Sequence, residues 1–426
     1  PVTAFQPFSA ILNFHGGHRT TRGRPYRQSI SMRGSADSSD HRRAGTKVLV
    51  VGGSGRVGGS TVKHLLSEAN RDGVPLEVVI GGRSKVNFAE SLDRIKGKLV
   101  HNSGNEDVDV DGCCSFVELD LESPESLERA LEGVDLVVHT AGPFQQKTRP
   151  QVLEAAIATG TSYVDVCDEI ALCKAAKALQ EKAKKANVNA IVSAGIWPGV
   201  SALMAAKAIE RIREIRAEKG RRAVMHDTEI GDSQERLDLS FFTAGTGNAG
   251  ATIVSATFLL LAQDAIAFIN GRKAEVEPWT SPLDIDFGRC VGKRTVRMLD
   301  NPDVFTIHEA LRVPNIASRF ATAPGIWNQL FGAAKAVPAS ILSDREAMQK
   351  LSIFSLPIIR AVDRLVGATN SMHIEASNDD AAISFTVTHE DLEDCVGLAT
   401  AAFALDMLGN SDYGDGGGVF FPAELP

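Results

Sequence analysis

From Thr46 to Gly195 the chain alternates two kinds of segment. Short apolar runs, "TKVLVV", "LEVVIGG", "SFVELDL", "DLVVHTA", "SYVDVC" and "NAIVSAG", are separated by stretches such as "GSTVKHLLSEANRD" and "RPQVLEAAIATG", whose apolar residues recur at helical spacing. Strands joined by helices cannot close as hairpins, because each connection is long enough to cross over the sheet. The expected fold of this half is therefore α/β: a doubly wound (Rossmann) parallel sheet with helices on both faces.

In such a sheet the first strand-to-helix turn is where a phosphate is held, by backbone N–H groups at a helix N-terminus. Here that turn reads Gly53-Ser54-Gly55-Arg56-Val57-Gly58, a G-x-G-x-x-G in the required place. Gly53 is expected to allow the tight turn, Gly55 the approach of a pyrophosphate, and Gly58 the packing of helix on strand. The second strand ends in "VVIGGRSK", without the Asp or Glu that normally binds a ribose 2′-hydroxyl. Arg83, Ser84 and Lys85 would instead attract the 2′-phosphate of NADP, with Arg56 as a second cation, so NADP is favoured over NAD. Asp120, after the third strand, is read either as an adenine contact or as a helix cap before Pro124. Ala141, Gly142 and Pro143, in "HTAGPF", are expected to run along the pyrophosphate towards the nicotinamide.

The same turn occurs in short-chain dehydrogenases, which need a Tyr followed four residues later by a Lys. This chain has Tyr only at 26, 163 and 413, and the residue four after Tyr163 is Cys167, which argues against that chemistry and leaves open a non-catalytic NADP-binding relative. The segment "VVHTAGPFQQKTRPQVLEAAIATGTSYVDVCDE" resembles instead the saccharopine dehydrogenase-like family, with its A-G-P-F element and its "GT.YVD..GE" element. Tyr163, Asp165 and Glu169 match, while Cys167-Asp168 departs from the pattern. In "SAGIWPGVSALMA", Gly195, Pro198 and Gly199 agree with the family's next element, and Trp197 stands where amino-acid-forming members often carry Asp. The segments "FFTAGTGNAGATIVSATFLL" and "GGGVFFPAE" are similar to later parts of the family, so the resemblance covers about residues 46–425.

The resemblance implies a dinucleotide-binding domain at 46–204, a mixed α+β domain for substrate and dimerisation at 205–388, and a C-terminal return helix and tail at 389–426 packed on the first domain. The pieces "VMHDTEIGD", "RLDLSFFTA", "HIEAS" and "AISFTVT" read as strands of a half-exposed antiparallel sheet. Residues 313–360 show little periodicity and are expected to form a lid or partner surface. The apolar stretch 249–268 reads as a buried helix, with lipid association as the weaker reading.

Charge separates the first 45 residues from the rest. They hold seven Arg, no Lys and no Glu, against Asp37 and Asp40, while the whole chain carries −8. An Arg-rich, Ser-rich, acid-poor segment at 1–45 is expected to be a transit peptide, for a chloroplast or alternatively a mitochondrion. The acidic remainder argues against nucleic acid as a partner. No stretch reaches the length of a membrane span, no Cys or His spacing indicates a metal, and a homodimer is compatible with the sequence.

Chemistry is expected beyond the carboxyl ends of the strands. Asp168 and Glu169 are read as a catalytic carboxylate pair or as a helix cap. Trp197 is read as a substrate-pocket wall or as core. Arg319 is read as a clamp for a substrate carboxylate or as an ion-pair residue. The resemblance implies an NADP-dependent oxidoreductase acting on the C–N, carbonyl or enoyl group of a small plastid metabolite. The alternative is a catalytically silent NADP-binding protein with a regulatory or assembly role.

Overall fold

In a computed structural model the described residues are 45–103, 108–142, 144, 147–225, 234–245, 260–261, 263–334, 337, 342, 344–409, 413 and 416–425. All but the last residue of segment 1–45, expected as a transit peptide, lie outside this set, as do Pro143 and most of the 249–268 stretch.

The first domain builds β1 (Thr46–Val51), α1 (Arg56–Arg71), β2 (Leu76–Gly82), α2 (Lys85–Ser103), α3 (Val110–Cys113), β3 (Cys114–Glu118), α4 (Pro124–Leu131), β4 (Leu136–His139), α5 (Gln151–Thr159), β5 (Ser162–Asp165), α6 (Ile170–Lys177), α7 (Gln180–Ala186), β6 (Asn189–Ile191) and α8 (Val200–Met225). Local signals set many of these ends. Ser123 caps α4, its hydroxyl accepting from Ser126 N at 3.2 Å, with Pro124 in the first turn. Helices α5 and α7 stop at Gly160 and Asn187 in the left-handed conformation.

The second domain continues with β7 (Arg236–Ala244), β8 (Ala265–Ile269), β9 (Arg272–Val276), β10 (Leu283–Asp286), β11 (Lys293–Met298), α9 (Pro302–Leu311), β12 (Asn315–Ala323), α10 (Gly325–Ala334), α11 (Arg345–Val366), β13 (Thr369–Ser377) and β14 (Ala382–His389). The chain then returns to the first domain with α12 (Leu392–Gly409) and β15 (Gly418–Phe420).

The first sheet has the order β15-β6-β5-β4-β1-β2-β3, all its pairings parallel. Alternate residues of β1 feed opposite layers: Val48 and Val50 join Val62 and Leu65 of α1, while Leu49 and Val51 join Leu127, Leu153 and Tyr163 on the other face. This is the doubly wound arrangement, in which strands are buried on both faces and read as continuous apolar runs.

The second sheet is mixed, order β10-β11-β12-β7-β13-β14, with β8 joined to β12 and β9 to β8. It contains a parallel pair, β7 with β12, so it is not the purely antiparallel sheet the alternation suggests. The boundary expected at 204/205 falls inside α8, whose Ile209 and Ile212 share one core with Leu239 and Phe241 of β7. Val224 and Met225 of the expected strand "VMHDTEIGD" close α8, with 226–233 outside the described residues. The last four residues of the expected apolar helix, Ala265 to Phe268, lie instead in β8. The aperiodic 313–360 stretch contains β12, α10 and α11. No helix among the described residues is long and apolar enough to cross a membrane.

Candidate dinucleotide and substrate site

The glycine turn packs against its surroundings as closely as backbone allows. Gly52 takes the left-handed φ of +80°, so the conformational demand of the turn falls on Gly52 rather than on Gly53. A Cβ on Gly53 would come within 3.0 Å of Val50 O. On Gly58 it would lie 2.3 Å from Gly52 O and 2.6 Å from Thr140 Oγ1, which is how α1 sits down on β1 and β4. At Gly55 a Cβ would meet only Gly52 O, at 3.1 Å, leaving room for a ligand to approach. Gly55 is also the N-cap of α1 and supplies no side-chain acceptor. The first-turn N–H groups of Arg56, Val57 and Gly58 therefore have no side-chain cap, and such donors at a helix N-terminus are an anion site.

Two loops flank this cradle. A Cβ on Gly52 would fall 2.8 Å from Ala141 Cα, so the turn abuts the Ala141-Gly142 loop after β4. On the other side a Cβ on Gly82 would be 3.5 Å from Ser54 Oγ, which sets the end of β2, and Arg83 after it, beside the turn. Arg83 is exposed. Ser84 turns its hydroxyl to Asn87 N at 3.3 Å as a cap of α2. Arg94 of α2, which no motif marks, donates from Nη2 to Ser54 O at 2.7 Å and braces the turn. The cradle, the uncapped helix and the acid-free end of β2 fit NADP.

Other expected positions serve different ends. Arg56 Nε lies 2.8 Å from the buried Glu393 of α12, so it is an ion-pair partner and not a spare cation for the 2′-phosphate. Asp120 accepts from Glu122 N at 3.0 Å and shapes the turn before α4, whose cap is Ser123. Glu169 is the N-cap of α6, accepting from Ala171 N at 3.2 Å; Asp168 beside it is exposed. The two do not form an isolated buried pair. Trp197, half-buried, lies 5.4 Å between ring centroids from Phe241 of β7, so it joins the loop after β6 to the second sheet. Arg319 is spent in the second sheet: Nη1 is 2.6 Å from Asp238 Oδ1 and the side chain is only 10% exposed. Burial alone would raise the Asp238 carboxyl, but Arg236 and Arg319 outweigh it and hold it below the usual range. Nε of Arg319 also donates to Ser281 O at 3.4 Å, so two of its donors are committed within the second domain.

Three further groups shape the strand ends. His139 closes β4, and burial, aided by Lys147, pushes its imidazole down to about 3. It is neutral at neutral pH, with Nδ1 accepting from Ala141 N at 3.4 Å. Asp165 closes β5 and accepts from Ser193 N (2.7 Å), Cys167 N (3.0 Å) and Tyr163 Oη (2.8 Å). Burial still raises it, to about 6, so it ties the loops after β5 and β6 together. Asp303, in the first turn of α9, takes the Ser201 hydroxyl at 2.5 Å and crosses from the second domain to the start of α8.

A Rossmann sheet with an uncapped glycine turn, joined to a second sheet through Trp197, is an architecture that can hold a dinucleotide. Residues 48–191 match the family described as saccharopine dehydrogenase NADP binding domain, which supports NADP as the cofactor of this domain. The apo saccharopine dehydrogenase (L-Glu forming) of Saccharomyces cerevisiae has the same fold, with a TM-score of 0.56 at 14% identity over 89% of this chain and 94% of that one. Among curated proteins, a carboxynorspermidine synthase of Vibrio cholerae is 24% identical over 281 residues, 63% of this chain and 61% of that protein. A lipid droplet localized protein of Caenorhabditis elegans is 26% identical over 155 residues, 36% of this chain and 34% of its own. The chain thus matches 61% and 34% of the lengths of these two relatives.

Proposed function

We propose that this chain is an NADP-dependent oxidoreductase that moves hydride between the nicotinamide and a carbon of a small metabolite. The observation that carries this reading is the uncapped N-terminus of α1 over the glycine turn, beside a β2 end that has Arg83 and no acid. NADP supplies the hydride carrier when bound. The backbone N–H groups of residues 56–58 hold the pyrophosphate, Arg83 binds the 2′-phosphate, and Ala141 and Gly142 line the way to the nicotinamide. His139, fixed as a neutral ring through Nδ1, keeps an N–H at Nε2 that can orient a carbonyl oxygen. Asp168, exposed in the loop after β5, is the carboxylate that this reading places against substrate.

Among C–N, carbonyl and enoyl groups, the similarity to a carboxynorspermidine synthase supports testing C–N bonds first. A plastid setting fits the Arg- and Ser-rich leader and is tested by fusing residues 1–45 to a fluorescent reporter. A homodimer is tested by light scattering.

The cofactor assignment predicts that Arg83→Glu weakens NADPH by roughly tenfold or more, the worth of one charged hydrogen bond, and leaves NADH nearly unchanged. Fluorescence titration of both nucleotides measures this, and an equal loss for the two overturns the assignment. Loss of nicotinamide absorbance with imine, keto or enoyl substrates then reads out turnover. Tight NADPH binding with no turnover across that panel would favour the catalytically silent reading.

A further inference from the structure

The second sheet carries a cleft of about 640 Å³ lined by Lys293, Arg294 and Arg297 of β11, and by Trp279, Asn328 and Gln329. Its lining includes no acidic residue and no residue of the first domain among those described. Lys293 and Arg294 are exposed, Arg297 is half-buried, and among the described residues none of the three lies within ion-pairing distance of a carboxylate. By contrast Arg213 and Arg216 of α8, and Arg236 and Arg319 of the second sheet, each hold an acid. On the neighbouring strand β10, Asp284 accepts from the Thr295 hydroxyl at 2.6 Å, and Asp286, in register with Lys293, accepts from Gly288 N at 2.9 Å. Like charges gathered without a counter-ion repel, so an anion in the cleft would stabilise the cluster.

The walls are set before any ligand arrives. Asn328 bonds both backbone groups of Thr322, its Oδ1 accepting from Thr322 N (3.0 Å) and its Nδ2 donating to Thr322 O (2.7 Å), which fastens α10 to β12. Trp279 Nε1 donates to Asn328 O at 2.7 Å, and its ring stands edge-on to Phe331 at 5.2 Å. Arg294 is held over the Phe242 ring at 5.2 Å. A rigid cleft of this volume lies within the range of about 300–1,000 Å³ typical of small-molecule sites. It is too large for a lone inorganic ion, and three cations suit a group that carries more than one negative charge.

We propose that this cleft binds a phosphate-bearing small molecule at a site separate from the glycine turn. The phosphate belongs either to a soluble phosphate ester or to a lipid headgroup. The second source would also use Ile326 and Leu330 of α10, which are 59% and 49% exposed. The inference rests on the cleft alone and is independent of the oxidoreductase reading.

The test is titration of the full chain with inorganic pyrophosphate, followed by Trp fluorescence, and co-flotation with phosphatidylcholine vesicles with and without phosphatidic acid. Saturable pyrophosphate binding that weakens with salt is expected, with at least about a tenfold loss for each of Lys293→Gln and Arg297→Gln and partial retention in Arg297→Lys. NADPH affinity should be the same in all variants, which also shows that they are folded. Pyrophosphate binding without flotation assigns a soluble ligand. Flotation that needs both phosphatidic acid and Arg297 assigns a lipid. Binding unaffected by these substitutions, or abolished by saturating NADPH, overturns the proposal, as does the absence of binding to either probe.

Discussion

Asp303 is fully buried, and only one of its carboxylate oxygens finds a partner, the Ser201 hydroxyl; Oδ1 has none. Burial raises the acid to about 7, against the lowering effect of Ser201 and the Gly199 N–H. A carboxyl whose folded pKa lies above its unfolded value binds more protons in the native state. Stability is therefore lost as pH rises through the window from about 4 to 7. Asp303→Asn removes that proton linkage. Melting temperatures of the variant relative to the parent should rise between pH 5 and 8, by the equivalent of a few kcal/mol at most, on the order of 1.4 kcal/mol per pKa unit; a difference that does not change with pH would refute the assignment. Nothing in the sequence marks Asp303 among 53 acidic residues, because burial is decided by a fold in which its partner is 102 residues away. The glycine turn was legible for the opposite reason: its chemistry is local, and glycine spacing after a strand states it directly. Arg56 and Arg319 could be named but not assigned, since their acids lie 337 and 81 residues off.

Helix α12 holds α1, whose N-terminus is proposed to take the phosphates of the cofactor. Arg56 bonds Glu393, while Asp394 takes Ser60 and His64 at 3.1 Å each and also Lys63, whose side chain is only 4% exposed. Burial would raise Asp394, but His64 and Lys63 outweigh it and keep the acid well below the usual range. Gly397 brings the helices together, since a Cβ there would sit 2.4 Å from Ser60 Oγ. Asp394→Ala leaves a buried lysine unpaired and should cost about 3–5 kcal/mol in chemical denaturation. Gly397→Leu should separate the helices and reduce NADPH affinity, with isothermal titration as the measurement; retained affinity in a folded Gly397→Leu protein would show that α1 is positioned without α12. The small apolar face of "LEDCVGLATAAFALDML" made the helix readable. Its neighbour was not readable, because helix packing depends on the facing surface, and that surface is α1.

At the scale of the molecule, the parallel sheet is completed by a strand from the far end of the sequence. β15 pairs with β6, and Val419 N donates to Gln180 Oε1 at 2.7 Å across 239 residues. Lys177 adds bonds to Val419 O and to Glu424. Deleting residues 389–426 would strip both the β15 edge and the α12 face, and should yield insoluble protein or a species that exposes apolar surface to a dye; a soluble, NADPH-binding truncation would contradict this. The alternation of strand and helix made six strands of this sheet legible, whereas β15 is three residues long and too short for periodicity. The second sheet was less legible because β8 to β11 are short and half-exposed, and their order follows from tertiary pairing. The position of β15 also bears on synthesis. While the ribosome is still translating the second domain, β6 presents an open edge and α1 an uncovered face, so the nascent cofactor domain waits for the chain that follows it. Chaperone demand should therefore peak late in translation, after the glycine turn itself has long emerged.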